Sequence, residues 1–221
     1  MTAHTAEPDG AQVGRDELAS VRQAAERILE PLLRLAAAAG SGVPDEAVAA
    51  AGRALAAAGL AGAALPLAVR VEVALVAGGA GARVGARVLD LAEDPTGLLR
   101  ASLAVGCGQA ALRLGLDHAQ HREAFGRPLA EFQVQRHAFA HAGARLMAAG
   151  ALVRRAVEST HDIDVAAALP VACQACWQAA ETALQVHGGY GYSDEFAISR
   201  LWLDAARLRA SLGAASTAFG G

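Results

Sequence analysis

The sequence of 221 residues contains no lysine and no asparagine, and only 4% of its residues are aromatic. Every basic residue outside the histidines is therefore an arginine, which we attribute to the codon bias of a GC-rich genome. The net charge of -3 comes from interspersed charges, without the basic stripe that is typical of nucleic-acid binding proteins. We therefore expect no nucleic-acid partner.

Long apolar runs and paired cysteines are also lacking. No uncharged apolar stretch approaches the roughly 18 residues that a membrane span needs, so we expect no membrane association. The cysteines are odd in number, and the N-terminal sequence is polar and acidic, unlike a secretory signal. We predict a cytoplasmic protein in which residues 1–14 form a disordered tail.

The residues that are abundant favour helices. Hydrophobic residues make up 54% of the chain, with alanine and leucine prominent, and both are strong helix formers. Apolar residues within 15–37 recur at helical spacing, so this segment is predicted to be a helix that Pro31 bends or splits. A second helix is predicted from Pro44 to about Ala58. Residues 67–77 alternate like a strand, but we favour a helix because no partner strand is nearby.

From Gly97 onward the pattern is almost continuously helical. Four long helices with short connections are typical of an up–down four-helix bundle. Their predicted ranges are 97–121, 131–158, 164–187 and 194–212. We therefore predict an all-α fold, with a helical N-terminal region at 15–95 and the bundle at 96–221.

The connection "REAFGRPLAEFQ" is the first motif of interest. Arg122 can place two donors on a phosphate, and Gln133 opens the next helix, whose N-terminus favours anions. Phe125 and Gly126 turn the chain between them. The alternative is an ordinary loop with an exposed arginine, and the spacing alone leaves both open.

The segment "QVHGGYGY" is the second motif. Its glycines at 188, 189 and 191 allow a close backbone approach to a flat ligand or a positive φ, and Gln185 lies one turn earlier. The alternative is a glycine helix stop. Two adjacent glycines followed by a third exceed what a helix stop requires.

Together the two motifs resemble the C-terminal bundle of the acyl-CoA dehydrogenase family, R-x-x-F-G-x-x-L…F-Q followed by Q-x-x-G-G-x-G-Y…E-x-x-x-x-R-x-x-x-D-A. The matching residues are Arg122, Phe125, Gly126, Leu129, Phe132, Gln133, Gln185, Gly188, Gly189, Gly191, Tyr192, Glu195, Arg200, Asp204 and Ala205. The resemblance covers residues 97–213, and a weaker one covers 15–66.

The resemblance implies an FAD enzyme of lipid or polyketide metabolism that desaturates acyl-CoA thioesters. In that family a glutamate removes the α-proton and the flavin accepts the hydride. One subunit holds the isoalloxazine ring, and the bundle of its neighbour reaches the adenine and pyrophosphate end. The cofactor-binding residues implied here are Arg122, Phe125, Gln133, Gln185, Gly188 and Gly189.

Two departures from the family pattern matter. Only about thirty residues separate Pro66 from Thr96, too few for the β-domain that covers the flavin ring in the family. The position of the catalytic glutamate at the end of the last helix is Leu212. The other position that the family uses, at the start of the first bundle helix, is Thr96-Gly97.

We therefore expect a non-catalytic or half-site subunit that completes the FAD site of a full-length homologue, with acyl-CoA handled only through the complex. The alternative is a flavin-free homo-oligomer whose pocket serves ligand binding or another biosynthetic reaction. A third reading is an autonomous dehydrogenase with Glu93 or Asp94 as base. FAD is thus shared or lost, and whether the chain is itself an enzyme stays open.

No catalytic residue and no metal site are predicted. Cys173 and Cys176 lie three apart in an alanine-rich helix, which is more typical of packing than of zinc binding. His137 and His141 have a spacing that can bind metal, but no carboxylate accompanies them at that spacing.

Overall fold

The computed structural model describes residues 13–38, 43–62, 65–89, 91, 94, 96–159 and 161–216. Residues 1–12 of the predicted tail lie outside this description. Within the described ranges the chain forms eight α-helices and one two-stranded hairpin. The all-α fold predicted from the sequence is therefore confirmed.

The N-terminal region contains four helices. They are α1 (Arg15–Ala38), α2 (Asp45–Ala57), α3 (Leu67–Gly78) and α4 (Ala82–Val88). Helix α1 passes through Pro31 without splitting. Helix α3 is buried on nearly every side, so its alternating valines reflect all-round burial and not a strand. Helix α4 was not predicted, because its glycine-rich sequence has little helical propensity.

The bundle consists of four longer helices, α5 (Leu98–His121), α6 (Gln133–Ser159), α7 (Asp162–His187) and α8 (Ala197–Ser216). Helices α5 and α7 pack most closely, and α6 and α8 each contact both. Small residues permit this approach. A Cβ atom at Gly115 would lie 2.8 Å from Ala183 Cα, and one at Gly108 would lie 3.0 Å from Cys176 Cα.

The N-terminal helices pack against the bundle through α3 and α5. Gly78 and Gly106 lie where these helices cross, and a Cβ at Gly106 would lie 3.1 Å from Gly78 Cα. Ser102 Oγ donates a hydrogen bond of 2.7 Å to Val71 O across the same contact. One apolar core contains residues from all eight helices of the described chain. The domain boundary at 95/96 stays a prediction.

Two buried charged residues of α8 tie the bundle to the N-terminal helices. Arg200, which is 5% exposed, donates hydrogen bonds of 2.6 Å to Ala36 O and to Ala80 O. Asp204 accepts a hydrogen bond of 3.1 Å from the Arg83 N–H in the first turn of α4. Burial lowers the pKa of Arg200, and nearby Asp204 partly opposes this. These two motif positions therefore join α8 to α1 and α4.

No helix in the described part of the chain is both long and apolar enough to cross a bilayer.

Candidate functional site

A short hairpin carries the first motif. Strand β1 (Glu123–Ala124) pairs antiparallel with β2 (Arg127–Pro128). Phe125 and Gly126 connect them with φ values of 53° and 78°, as in a type I′ turn. A phenylalanine rarely adopts positive φ, and this side chain is 97% exposed. The hairpin thus presents an aromatic ring at its tip without burying it.

Arg122 begins this connection and is exposed. Its backbone is fixed, because its N–H donates to His118 O and its carbonyl oxygen accepts from the Leu129 N–H, both at 2.8 Å. The neighbouring Arg127 guanidinium instead lies over the Phe132 ring, 4.1 Å from its centroid. The Arg122 guanidinium has no hydrogen bond or ion pair within the described residues, so its donors are available to a ligand.

The second motif follows α7 as a 3-10 helix, Gly188–Tyr192. Gly188 has a φ of 61° and a ψ of -145°, which favours glycine. Gly191 is buried, and a Cβ there would lie 2.9 Å from His187 Cβ. Gly189 is different, because it is exposed, has no positive φ, and has open space where a Cβ would be. Local structure therefore explains two of the three glycines and leaves Gly189 unexplained.

The two motifs lie at the same end of the bundle. His118 in the last turn of α5 stacks on His187 in the last turn of α7, with 4.1 Å between ring centroids. Burial, followed by the nearby His187 and Arg122, lowers the pKa of His118. A small apolar cluster supports this end. Its buried members are Ala119, Phe139 and Val186.

The remaining predicted cofactor residues are polar and exposed. Gln133 is the first residue of α6, directly after the hairpin connection. Gln185 Nε2 donates to Glu181 Oε1 at 3.1 Å, and Glu181 Oε2 accepts from Trp202 Nε1 at 2.8 Å. The helix ends thus bring the predicted site residues to one end of the bundle. That they bind a cofactor stays a prediction.

The positions where the family has its glutamate offer no free acid. Leu212 is partly buried against the core, and α8 continues beyond it to Ser216 instead of ending near Gly213 as predicted. The Asp94 carboxylate is buried and accepts the N–H groups of Leu99 and Arg100 at 3.3 and 3.1 Å. It therefore caps α5. Glu93 lies outside the described residues.

Sequence reasoning missed the histidine pair. His118 and His187 are far apart in the chain and belong to no common motif, yet each lies in the last turn of a helix next to a predicted site residue. Alternate helices of an up–down bundle end at the same side, so this placement could have indicated their proximity.

The segment between Pro66 and Thr96 does not fit a flavin ring pocket of the family type. Its described residues form α3 and α4, which pack against α5, and contain no strand. The hairpin end fits the other part of the cofactor better, because it offers unpaired arginine donors and an open glycine backbone to a phosphate-bearing ligand.

The candidate metal ligands are dispersed or buried. Cys107, Cys173 and Cys176 are free and buried. Burial raises the pKa of the Cys173 thiol to about 11, and a hydrogen bond with Cys107 raises the pKa of the Cys176 thiol together with burial. His137 and His141 are exposed on α6. No group of three potential ligands converges among the described residues.

Comparison with known proteins identifies the family. Residues 90–217 match the acyl-CoA dehydrogenase C-terminal domain. The chain is 36% identical to (2S)-methylsuccinyl-CoA dehydrogenase of Cereibacter sphaeroides over 120 residues, which cover 52% of this chain and 22% of the relative. It is also 36% identical to 3-sulfinopropanoyl-CoA desulfinase of Paraburkholderia xenovorans over 119 residues, 52% of this chain and 31% of the relative.

A comparison with solved structures gives the same family. The chain resembles the ChsE4-ChsE5 complex of Mycobacterium tuberculosis with a TM-score of 0.51 and 27% identity, covering 59% of this chain and 36% of that one. It spans less than a third of the length of the two curated relatives above. These relatives are named for different reactions, so the match does not specify a reaction. The chain belongs to the acyl-CoA dehydrogenase family of FAD flavoproteins, whose helical C-terminal domain it carries.

Proposed function

We propose that the chain is a non-catalytic, half-site subunit that completes the FAD site of a full-length homologue. The homologue would carry out α,β-dehydrogenation of acyl-CoA thioesters. One observation carries the proposal: the hairpin end is exposed with unpaired donors, whereas the described residues between Pro66 and Thr96 form helices and no sheet that could cover a flavin ring. The parts that could serve a partner's cofactor are retained, and those that would serve its own are not.

In this proposal Arg122 binds the pyrophosphate of FAD. Its guanidinium is exposed, and a charge-assisted hydrogen bond to a phosphate contributes about 1.5–3 kcal/mol. Gln185 and the backbone of Gly188 and Gly189 hold the adenine end. Phe125 and Gln133 contribute from the hairpin tip and the start of α6. FAD would supply the hydride acceptor, held by these residues at one end and by the partner's half of the site at the other.

The proton acceptor must also come from the partner. Leucine at position 212 cannot accept a proton, and Asp94 is occupied in capping α5. Loss of a positioned general base slows a reaction by about 10²–10⁴-fold. In this proposal neither Leu212 nor Asp94 of the chain serves as the base.

Complex formation has a precedent among its structural relatives. The solved ChsE4-ChsE5 structure is a complex of two differently named proteins. The partner proposed here is a full-length homologue or a second copy of the chain. A full-length partner fits better, because the described residues of a second copy would add only helices where the family has its ring-covering domain.

The test is co-expression with a full-length homologue from the same genome, followed by gel filtration and measurement of flavin absorbance. We expect the two proteins to co-elute with bound FAD. Arg122→Met should lower flavin occupancy, whereas Arg53→Met, at an exposed arginine on α2, should not. Separate elution, together with stoichiometric FAD on this chain alone, would contradict the proposal.

A second candidate is a flavin-free homo-oligomer whose pocket binds a ligand or serves another biosynthetic reaction. The observation that favours it is a cleft of about 440 Å³ whose lining includes none of the six predicted cofactor residues. A colourless chain that self-associates and gains no flavin from any homologue would support this candidate.

A further inference from the structure

A cleft of about 440 Å³ opens where α1, α3, α5 and α6 meet. Its apolar lining includes Leu33, Leu75 and Val105, and its polar lining consists mainly of arginine side chains. Pockets of this size, apolar with a few charged groups, are typical of sites for small ligands.

Glycines line the cleft beside its arginine side chains. A Cβ at Gly150 would lie 3.7 Å from Val105 Cγ1 and 3.8 Å from an Nη atom of Arg154. A Cβ at Gly79 would lie 3.9 Å from an Nη atom of Arg113. At 3.7–3.9 Å a Cβ makes only ordinary contact with these groups, so at Gly150 a side chain must be larger than that of alanine to fill the cleft, whereas at Gly79 Leu33 Cδ2 is already 3.1 Å from the Cβ position.

Some charged side chains along the cleft have an ion-pair partner and others do not. The Arg22 Nε donates at 2.8 Å to Glu72, a carboxylate that is 3% exposed, so this pair neutralises itself. Glu26 also lines the cleft, but it is exposed. Arg113 and Arg154 have no hydrogen bond or ion pair to any residue in the described ranges. Two arginines with free donors thus line a cleft that also has an apolar surface.

Arg113 also lines a second cavity of about 360 Å³, which shares Leu33 and Gly79 with the cleft. The second cavity is lined in addition by Arg200, whose buried Nε has no hydrogen-bond partner. An unpaired buried donor calls for a water or a ligand oxygen. Arg113 therefore lies where the cleft meets the second cavity, and each of them is lined by an arginine donor that has no hydrogen-bond partner among the described residues.

We infer that this cleft binds an amphiphile with an oxyanion head and an unbranched apolar chain. Arg113 and Arg154 hold the head, and the chain lies along the glycine-lined apolar surface. The head is a carboxylate or a phosphate, since arginine binds both. The inference depends only on the cleft and holds whether or not the chain completes a flavin site.

Isothermal titration of the full chain tests the inference without any flavin readout. The probes are decanoate, decyl phosphate and uncharged decanol, each below its critical aggregation concentration. We expect saturable binding of decanoate or decyl phosphate, and at least about tenfold weaker binding of decanol. The tighter of the two anions identifies the head group.

Variants locate the site. Arg113→Met and Arg154→Met should each weaken anion binding about tenfold or more, whereas Arg53→Met should leave it unchanged. Gly150→Leu should block the cleft. Gly143→Leu is its matched control, because it lies on the same helix, outside the cleft, where a Cβ would meet only Leu112 Cδ2 at 3.7 Å.

Three results would overturn the inference. They are equal affinity for decanoate and decanol, no saturable binding of either anion, and unchanged binding in a folded Gly150→Leu protein. Circular dichroism of each variant ensures that lost binding is not lost folding. Failure of the flavin co-expression test would leave these outcomes unaffected.

Discussion

Replacing Arg200 by methionine removes the side chain that ties α8 to the N-terminal helices. In the folded chain its guanidinium donates to two carbonyl oxygens, Ala36 O and Ala80 O, each at 2.6 Å. Methionine fills a similar length of space but donates nothing. The variant therefore loses both hydrogen bonds while the packing around them changes little.

The magnitude follows from these contacts. Two hydrogen bonds from a charged donor contribute about 3–6 kcal/mol, since each is worth about 1.5–3 kcal/mol. The substitution also removes the unpaired buried Nε, which relieves a penalty of about 1–3 kcal/mol. We therefore expect the free energy of unfolding to fall by about 2–3 kcal/mol, the difference between the low ends and between the high ends of the two ranges. The stability of Arg200→Lys should lie between those of the unmodified chain and of Arg200→Met, because lysine keeps the charge but not the planar donor arrangement.

Urea unfolding followed by circular dichroism measures this difference. Arg34→Met is the control, because this exposed arginine on α1 pairs at 2.5 Å with Glu30, which is also exposed. Surface ion pairs contribute little, so the control should cost under about 1 kcal/mol. A stability of Arg200→Met within 1 kcal/mol of the unmodified chain, or an equal loss in the control, would refute the reasoning.

Two further predictions concern His118 and Gly106. Burial and His187 lower the pKa of His118, so the folded state resists its protonation, and the free energy of unfolding should fall as pH drops below about 6.5. In His118→Phe, the free energy of unfolding by urea should change less between about pH 7.5 and 5 than it does in the unmodified chain. A Cβ in Gly106→Ala would collide with the Leu75 carbonyl, so unfolding should become easier by about 1–3 kcal/mol, whereas Gly143→Ala should be neutral or stabilising in the same thermal assay.

The bundle could be predicted from the sequence because its signals are local. Helical periodicity and short connections defined α5 to α8, although the structure extends α8 past Gly213 to Ser216. Residues 67–77 were correctly assigned to a helix because no strand partner was available. Such features depend on neighbouring residues, which a single sequence displays directly.

Other features depend on contacts between distant parts of the chain. Helix α4 begins after Gly81 in a sequence of low helical propensity. Arg83, in its first turn, donates its backbone N–H to Asp204, which lies more than a hundred residues later in the chain. Arg200 matched a family motif, but its bonds to α1 and to the turn after α3 could not be read from spacing. The unpaired state of Arg113 likewise depends on which groups surround it in three dimensions.

The site residues were predictable as a group and not in their individual roles. The two motifs do lie at one end of the bundle, joined by the stack of His118 on His187. The sequence could not distinguish Gly188, which the backbone conformation requires, from Gly189, which it does not.

The hairpin end is supported by an apolar cluster that is separate from the main core. The buried members of this cluster are Ala119, Phe139 and Val186, whereas the main core draws on every helix of the described chain. Few buried contacts mean a low free energy of local opening. The backbone amides of residues 123–127 can therefore exchange with deuterium while α5 and α7 remain folded. A cofactor bound at this end would slow that exchange by suppressing the local opening, and exchange in α5 and α7 would stay unchanged.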